Sequence, residues 1–173
     1  SLTSIIIPNS ITKIGTQAFL FCMNMTSVVI PNSVIEIGVS AFAGCNRLTT
    51  VEMSNSVVNI GKTAFQNRSK LRSIIIPNSI TSIEQNTFEN CRGLTDVSIS
   101  DSITYVDASA FSRCDNIVYN TYDNAYYLGN AENPYVILVK AKSEEIMSCE
   151  INEKCRIILS SAFRNCKTLT SVI

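Results

Sequence analysis

The chain has 173 residues, 46% of them hydrophobic, and its 14 Lys and Arg balance its 14 Asp and Glu. A balanced charge leaves no basic footprint for nucleic acid or for an anionic membrane surface, and no apolar run reaches the length of a membrane-spanning helix. The complete lack of histidine removes Ser-His-Asp and Cys-His catalysis and every zinc site built on imidazole.

Residues 2–24 set a pattern that then recurs. Leu2, Ile5 and Ile7 are spaced L-x-x-I-x-I. The β-branched side chains predict a strand with Ile5 and Ile7 inward and Ser4 and Ile6 outward. Pro8 removes a ladder donor and ends the strand, and Asn9 suits the turn that follows. Ile11 and Ile14 form a second inward pair with room for a second short strand, and Gly15 lets the backbone bend before Ala18 and Phe19 go inside. The Ala18-Phe19-x-x-Cys22 piece predicts one helical or 3₁₀ turn.

Leu2, Met25, Leu48, Leu71, Leu94 and Ile117 are spaced by 23 residues, and so are Phe19, Phe42, Phe65, Phe88 and Phe111. Such a period with these apolar positions marks a leucine-rich-repeat solenoid, in which each coil buries its open edge on the next. The expected fold is an α/β-type repeat solenoid: a right-handed leucine-rich-repeat coil with one parallel sheet, short or 3₁₀ helical turns and an inserted β-hairpin.

Two columns of the repeat carry polar or reactive groups. Ser10, Ser33, Ser56, Ser79 and Ser102 fill one inward position. With no base to activate them, these hydroxyls read as bonds to the backbone of their own or the adjacent coil. Cys22, Cys45, Cys91 and Cys114 fill another, with Arg68 in the gap, and Cys149, Cys155 and Cys166 fall at core or near-core positions further on. Cysteine at such sites acts as a small hydrophobe. Side chains at one position of adjacent coils run parallel, which opposes bond closure, so free thiols are expected. No C-x-x-C pair, Walker loop or G-x-G-x-x-G is present, so no metal, cofactor or enzymatic activity is expected. Asn24-Met-Thr and Asn67-Arg-Ser match glycosylation acceptors, which matter only in a secreted eukaryotic protein.

The period breaks after Ile117. A sixth unit starts at Ile146, so residues 117–145 form a 29-residue insertion that holds five of the six tyrosines. Residues 125–129 and 135–141 read as two strands around the Asn130-Ala-Glu-Asn-Pro134 turn. The insertion is expected to loop out and leave the unit at Ile146 stacked on the unit at Leu94, with Cys114 and Cys166 on neighbouring rungs about 5 Å apart. The whole of 1–173 then reads as one solenoid segment, with units starting at residues 2, 25, 48, 71, 94, 146 and 169. Starting at a repeat and stopping inside one, it reads as part of a longer protein.

The unit L-x-x-I-x-I-P-N-S-[IV]-x-x-I-G-x-x-A-F-x-x-C, shown by Met25 to Arg47, resembles the BspA-type leucine-rich repeat. That resemblance covers residues 1–116 and 146–173. It implies a secreted or cell-surface protein of bacteria or parasitic protists, with adhesion and protein binding as its role. The residues themselves offer one repeated face for a protein ligand: the outward row Ile6, Val29, Glu52, Ile75 and Ser98. Tyr126 and Tyr127 of the insertion join it as candidate anchors, since Tyr is enriched at binding hot spots; the alternative is that the tyrosines pack the insertion onto the solenoid. Two other functions fit the sequence: a spacer or accessory to an enzyme or recognition domain elsewhere, and carbohydrate binding through the tyrosine-rich insertion.

Overall fold

The computed structural model describes residues 2–173. In chain order its strands are β1 (Lys13–Ile14), β2 (Ser27–Ile30), β3 (Glu36–Ile37), β4 (Thr50–Met53), β5 (Asn59–Ile60), β6 (Ser73–Ile76), β7 (Ser82–Ile83) and β8 (Asp96–Ile99). They continue with β9 (Tyr105–Val106), β10 (Asn120–Tyr122), β11 (Ala125–Leu128), β12 (Ile137–Ala141), β13 (Ser148–Cys149), β14 (Ile157–Ile158) and β15 (Ser171–Val172).

Each regular coil has three sides. The L-x-x-I-x-I segment makes the first, where β2 pairs parallel with β4 and β6 with β8, each residue opposite the one 23 positions on. In β2 and β6 exposed and buried residues alternate, as a period of two requires. The x-I-G segment makes the second side, a stack of two-residue parallel strands in which β1, β3 and β5 pair in order and β7 pairs with β9. Between them Pro8, Pro31 and Pro77 accept a turn bond from the amide three residues on, all at 3.0 Å. Gly38 and Gly61 are required by the bend. A Cβ on Gly38 would lie 2.6 Å from the Thr16 nitrogen, and one on Gly61 2.5 Å from the Val39 nitrogen.

The third side corrects the expected α/β class. Among the described residues there is no helix, and the molecule is a β-solenoid of stacked parallel strands. The A-F-x-x-C segment fails to become helical because in each of the first four coils two residues sit in the left-handed region. Gln17, Ser40, Thr63 and Asn86 occupy one such column, and Phe21, Gly44, Asn67 and Asn90 the other. A helix needs consecutive right-handed residues. Here bonds alternate instead. Ala18, Leu20 and Cys22 donate three residues back within the coil, while Gln17, Phe19 and Phe21 donate to Val39, Ala41 and Ala43 of the next coil.

A ladder of phenylalanines runs along the axis inside this third side. Phe19, Phe42, Phe65, Phe88 and Phe111 stack at centroid distances of 5.1, 5.5, 5.6 and 5.3 Å. Beside it, Cys45, Cys91 and Cys114 donate to the carbonyls of Phe19, Phe65 and Phe88 in the preceding coil. All seven cysteines are free thiols. The serine column is less uniform than its sequence: Ser79 donates to Val57 at 2.6 Å, Ser33 is half-buried with its hydroxyl enclosed and unbonded, and Ser10 is exposed.

The insertion does not loop out. β10, β11 and β12 form an antiparallel meander, and β12 then pairs parallel with β14 of the Ile146 unit. At its other edge the Ile99 amide donates to Gly129 at 2.8 Å. The inserted chain is therefore a layer between the Leu94 coil and the Ile146 coil, and it divides the interior. Leu128, Val136 and Ile137 close the first core, which begins at Ile7. Ala125, Tyr127 and Leu138 belong to a second core with Ile146, Cys149 and Ala162. Phe163 packs in that second core, so the phenylalanine ladder ends at Phe111. The phase of the repeat resumes at Ile146, but the surface it stacks on is the insertion.

Candidate functional site

The outward row lies where period two places it. Val29 faces Glu52 and Ile75 faces Ser98 on paired rungs, about 5 Å apart. Ile6 is 92% exposed, Ile75 69% and Val29 56%. Glu52 is exposed and Ser98 half-buried. Small side chains flank the row, with Ser27 opposite Thr50 and Ser73 opposite Asp96.

Two depressions border it, where the strands run into the turns. One, of about 670 Å³, is lined by Val29, Pro31, Asn32, Glu52 and Met53 among others. The second, of about 490 Å³, takes Ile75, Asn78 and Ser98 from the solenoid and Asn130 and Glu132 from the insertion. The turn of the insertion is clamped there. Asn130 Nδ2 donates to the Ile99 carbonyl at 3.0 Å and Asn133 Nδ2 to Asp101 Oδ1 at 3.1 Å. Asn133 also reaches the Lys154 carbonyl at 3.2 Å. It thus ties the Leu94 coil to the Ile146 coil across the inserted layer. Asp101, Asn130 and Glu132 were not singled out by sequence. The one available signal is that Asp101 stands where Asn9, Asn32, Asn55 and Asn78 stand in the other turns.

The two tyrosine candidates part company. Tyr127 is fully buried; its ring lies edge-on to Tyr135 at 5.5 Å and its hydroxyl accepts the Asn152 amide at 3.4 Å. Burial pushes its phenol above the ordinary range. Tyr126 is half-buried on the other face of the meander, where the exposed Lys140 ammonium sits 5.7 Å from its ring and 5.3 Å from that of Tyr119. Tyr122 reaches out of the layer to donate to Glu150 at 2.7 Å. Sequence places Tyr126 and Tyr127 together, and the alternation of a strand sends them to opposite faces.

Chemistry is sparse. Among the described residues no group of three or more Cys, Asp or Glu side chains is placed to hold a metal ion. Among the same residues no helix is long and apolar enough to cross a membrane. What the site offers is a row of regularly spaced apolar and hydroxyl side chains with a polar trough at the insertion end.

The model of the BspA-type leucine-rich-repeat region matches residues 1–118 and 141–173 in 6 copies. The chain belongs to that family. No curated protein matches the sequence. Among solved structures, a leucine-rich repeat protein of T. pallidum superposes with a TM-score of 0.67 at 23% identity, over 98% of this chain and 68% of its own. One from Eubacterium ventriosum gives 0.68 at 23% identity, over 99% of this chain and 48% of its own. A leucine-rich cell surface protein of Faecalibacterium prausnitzii gives 0.64 at 24%, over 99% and 60%. At these identities the likeness is one of fold. The chain spans between about half and two thirds of the length of these neighbours. Its family and its structural neighbours are leucine-rich-repeat proteins, with no enzyme among those named.

Proposed function

We propose that residues 1–173 act as one solenoid unit of a secreted or cell-surface protein, and that its outward strand face binds a protein partner in adhesion. The observation that carries this reading is the exposure of Ile6, Val29 and Ile75 on one face. Isolated exposed apolar residues are ordinary, but three on one repeated row, beside two depressions, make a patch of the kind that marks interaction sites. Lack of net charge disfavours nucleic acid, and the tyrosines that a sugar would stack on are half-buried or enclosed in the insertion. The F. prausnitzii neighbour is itself named a cell surface protein, which supports the location.

The test uses the folded chain on an array of secreted and cell-surface proteins, with a glycan array beside it. The variant carries Val29→Lys and Ile75→Lys, the first of which meets the opposite charge of Glu52 on the paired rung. Both positions are exposed, so each substitution should alter stability by no more than about 0.5 kcal/mol. Binding to one or more arrayed proteins, lost in the variant at an unchanged urea midpoint, is the expected result. Binding to glycans alone, or protein binding that survives both charges, would move the site off this face.

A further inference from the structure

One junction between regular coils is built unlike its neighbours. Across the junction between the Met25 and Leu48 coils, the amides of Thr49, Val58 and Gly61 donate to the preceding coil at 2.9, 2.9 and 2.8 Å. Across the junction between the Leu71 and Leu94 coils, Thr95, Thr104 and Asp107 do the same at 2.9, 2.8 and 2.9 Å. The equivalent donors between the Leu48 and Leu71 coils are Arg72, Thr81 and Glu84, and none of them has a backbone acceptor there. Both strand stacks lapse at this one place. β4 does not pair with β6, nor β5 with β7. Backbone bonds join only the third side, where Thr63, Phe65 and Asn67 donate to Gln85, Thr87 and Glu89 at 3.1, 2.9 and 2.9 Å; between the two strand sides a single side chain crosses, the Ser79 hydroxyl donating to the Val57 carbonyl at 2.6 Å.

Two sequence changes fall on the same junction. Coils on one side bend through glycine, at Gly15, Gly38 and Gly61, while those on the other bend through Glu84 and Asp107 in the same column. Each kind stacks on its like, as the bonds above show, and the mismatch lies between Gly61 and Glu84. The second change is Arg68, which replaces cysteine in the buried column. Its side chain is fully buried, and Nε, Nη1 and Nη2 have no hydrogen-bond partner. The face of Phe65 lies 5.9 Å from the guanidinium carbon, and the thiols of Cys45, Cys91 and Cys22 surround the group. Burial pushes its pKa below the ordinary value. A guanidinium so placed forgoes the water bonds that an exposed one keeps, which penalises the closed form and not an opened one.

We infer that the junction between the coils beginning at Leu48 and Leu71 is a built-in joint: it opens on its strand sides, hinges on its bonded third side, and is loaded by the buried Arg68. Local opening follows low bonding density. The joint lies beneath the outward row, between Glu52 and Ile75, so its opening changes the spacing of that row in mid-length. The joint itself rests on bonding alone and stands whether or not that face binds protein.

Residue-resolved amide hydrogen exchange on the unmodified chain tests it. Arg72, Thr81 and Glu84 should exchange about five- to tenfold faster than Thr95, Thr104 and Asp107, the factor that follows from one missing backbone bond. Equal protection at the two junctions would overturn the joint. In Arg68→Cys, which restores the column, exchange at Thr81 should slow toward that of Thr104 while Thr104 stays unchanged. If Thr81 is unmoved in a variant that folds, Arg68 does not load the joint. Should Arg68→Cys not fold, Arg68→Met removes the same buried charge and is read in the same way.

Discussion

Removing one ring from the phenylalanine ladder tests whether that ladder is the spine of the solenoid. Phe65 is fully buried and stacks on Phe42 at 5.5 Å and on Phe88 at 5.6 Å, both within 4° of parallel. Truncating a buried Phe to Ala costs about 3–5 kcal/mol through lost transfer energy and the cavity left behind. The two ring pairs, each worth about 0.5–1.5 kcal/mol, place Phe65→Ala in the upper part of that range. Collapse around the gap is resisted because the neighbouring coils are held at rung spacing by Phe42 and Phe65, whose amides donate to Ala64 and Thr87 at 2.9 Å. Phe111 is the internal control. It stacks on one ring only and is half-buried, so Phe111→Ala should cost roughly half as much. Urea unfolding followed by far-ultraviolet circular dichroism reads both variants. With a slope near the middle of the usual range of about 1–3 kcal/mol per molar, Phe65→Ala should lower the midpoint by about 2 M, and Phe111→Ala by about 1 M. An unchanged midpoint for Phe65→Ala, or equal shifts for the two, would show that stability does not reside in the ladder.

The thiols and one carboxylate give further tests. Cys45, Cys91, Cys114 and Cys149 are buried, and burial raises the pKa of Cys149. Ellman titration of the native chain should therefore find at most the three half-buried thiols, Cys22, Cys155 and Cys166, and all seven after denaturation; a mass lower by two disulfides in fresh protein would contradict this. Asp107 accepts hydrogen bonds from the Ser109 hydroxyl and amide, which hold its carboxyl below the ordinary 3.8. A depressed folded pKa contributes stability that is present above the unfolded value and lost as pH falls through the folded one. The urea midpoint of the native chain should thus exceed that of Asp107→Asn near neutrality, with the gap closing as the pH falls below 3.8; a gap that persists in strong acid would deny the carboxylate that role.

Much of this architecture was legible because a solenoid repeats its reasons. The alternation in Ser27–Ile30 and Ser73–Ile76 follows from period two, and the same residues one period on give the rung partners. The third side was misread because a helical turn and a run of left-handed turns bury the same Ala and Phe. What separates them is the residue at the left-handed positions. Asn67, Asn86 and Asn90 there are a signal, since Asn tolerates that region best among non-glycine residues, but Thr63 and Phe21 in the same columns obscure it. The insertion was misread for another reason. In-phase resumption at Ile146 fixes how residues count, not which surface they meet. The open edge of the Leu94 coil takes whichever apolar face reaches it, and strands at residues 125–141 come first along the chain.

The candidate site divides along the same line. Ile6, Val29, Glu52, Ile75 and Ser98 could be named from sequence because each is the same position of successive coils, and the structure sets Val29 opposite Glu52 and Ile75 opposite Ser98, with Ile6 exposed outside any strand. Asp101 with Asn130 and Glu132 could not, because a turn in one coil meeting a turn about 30 residues on obeys no period. A face made only of periodic positions presents the same chemistry at every rung, and a partner could sit on it in several registers. Register is set by what happens once. Along this row the singular features are Glu52 among the aliphatic residues, the change of coil type beside Arg68, and the wall of Asn130 and Glu132 that closes one end. If the face binds a protein, the apolar row supplies contact area, while these departures from the repeat determine which partner fits and where it stops.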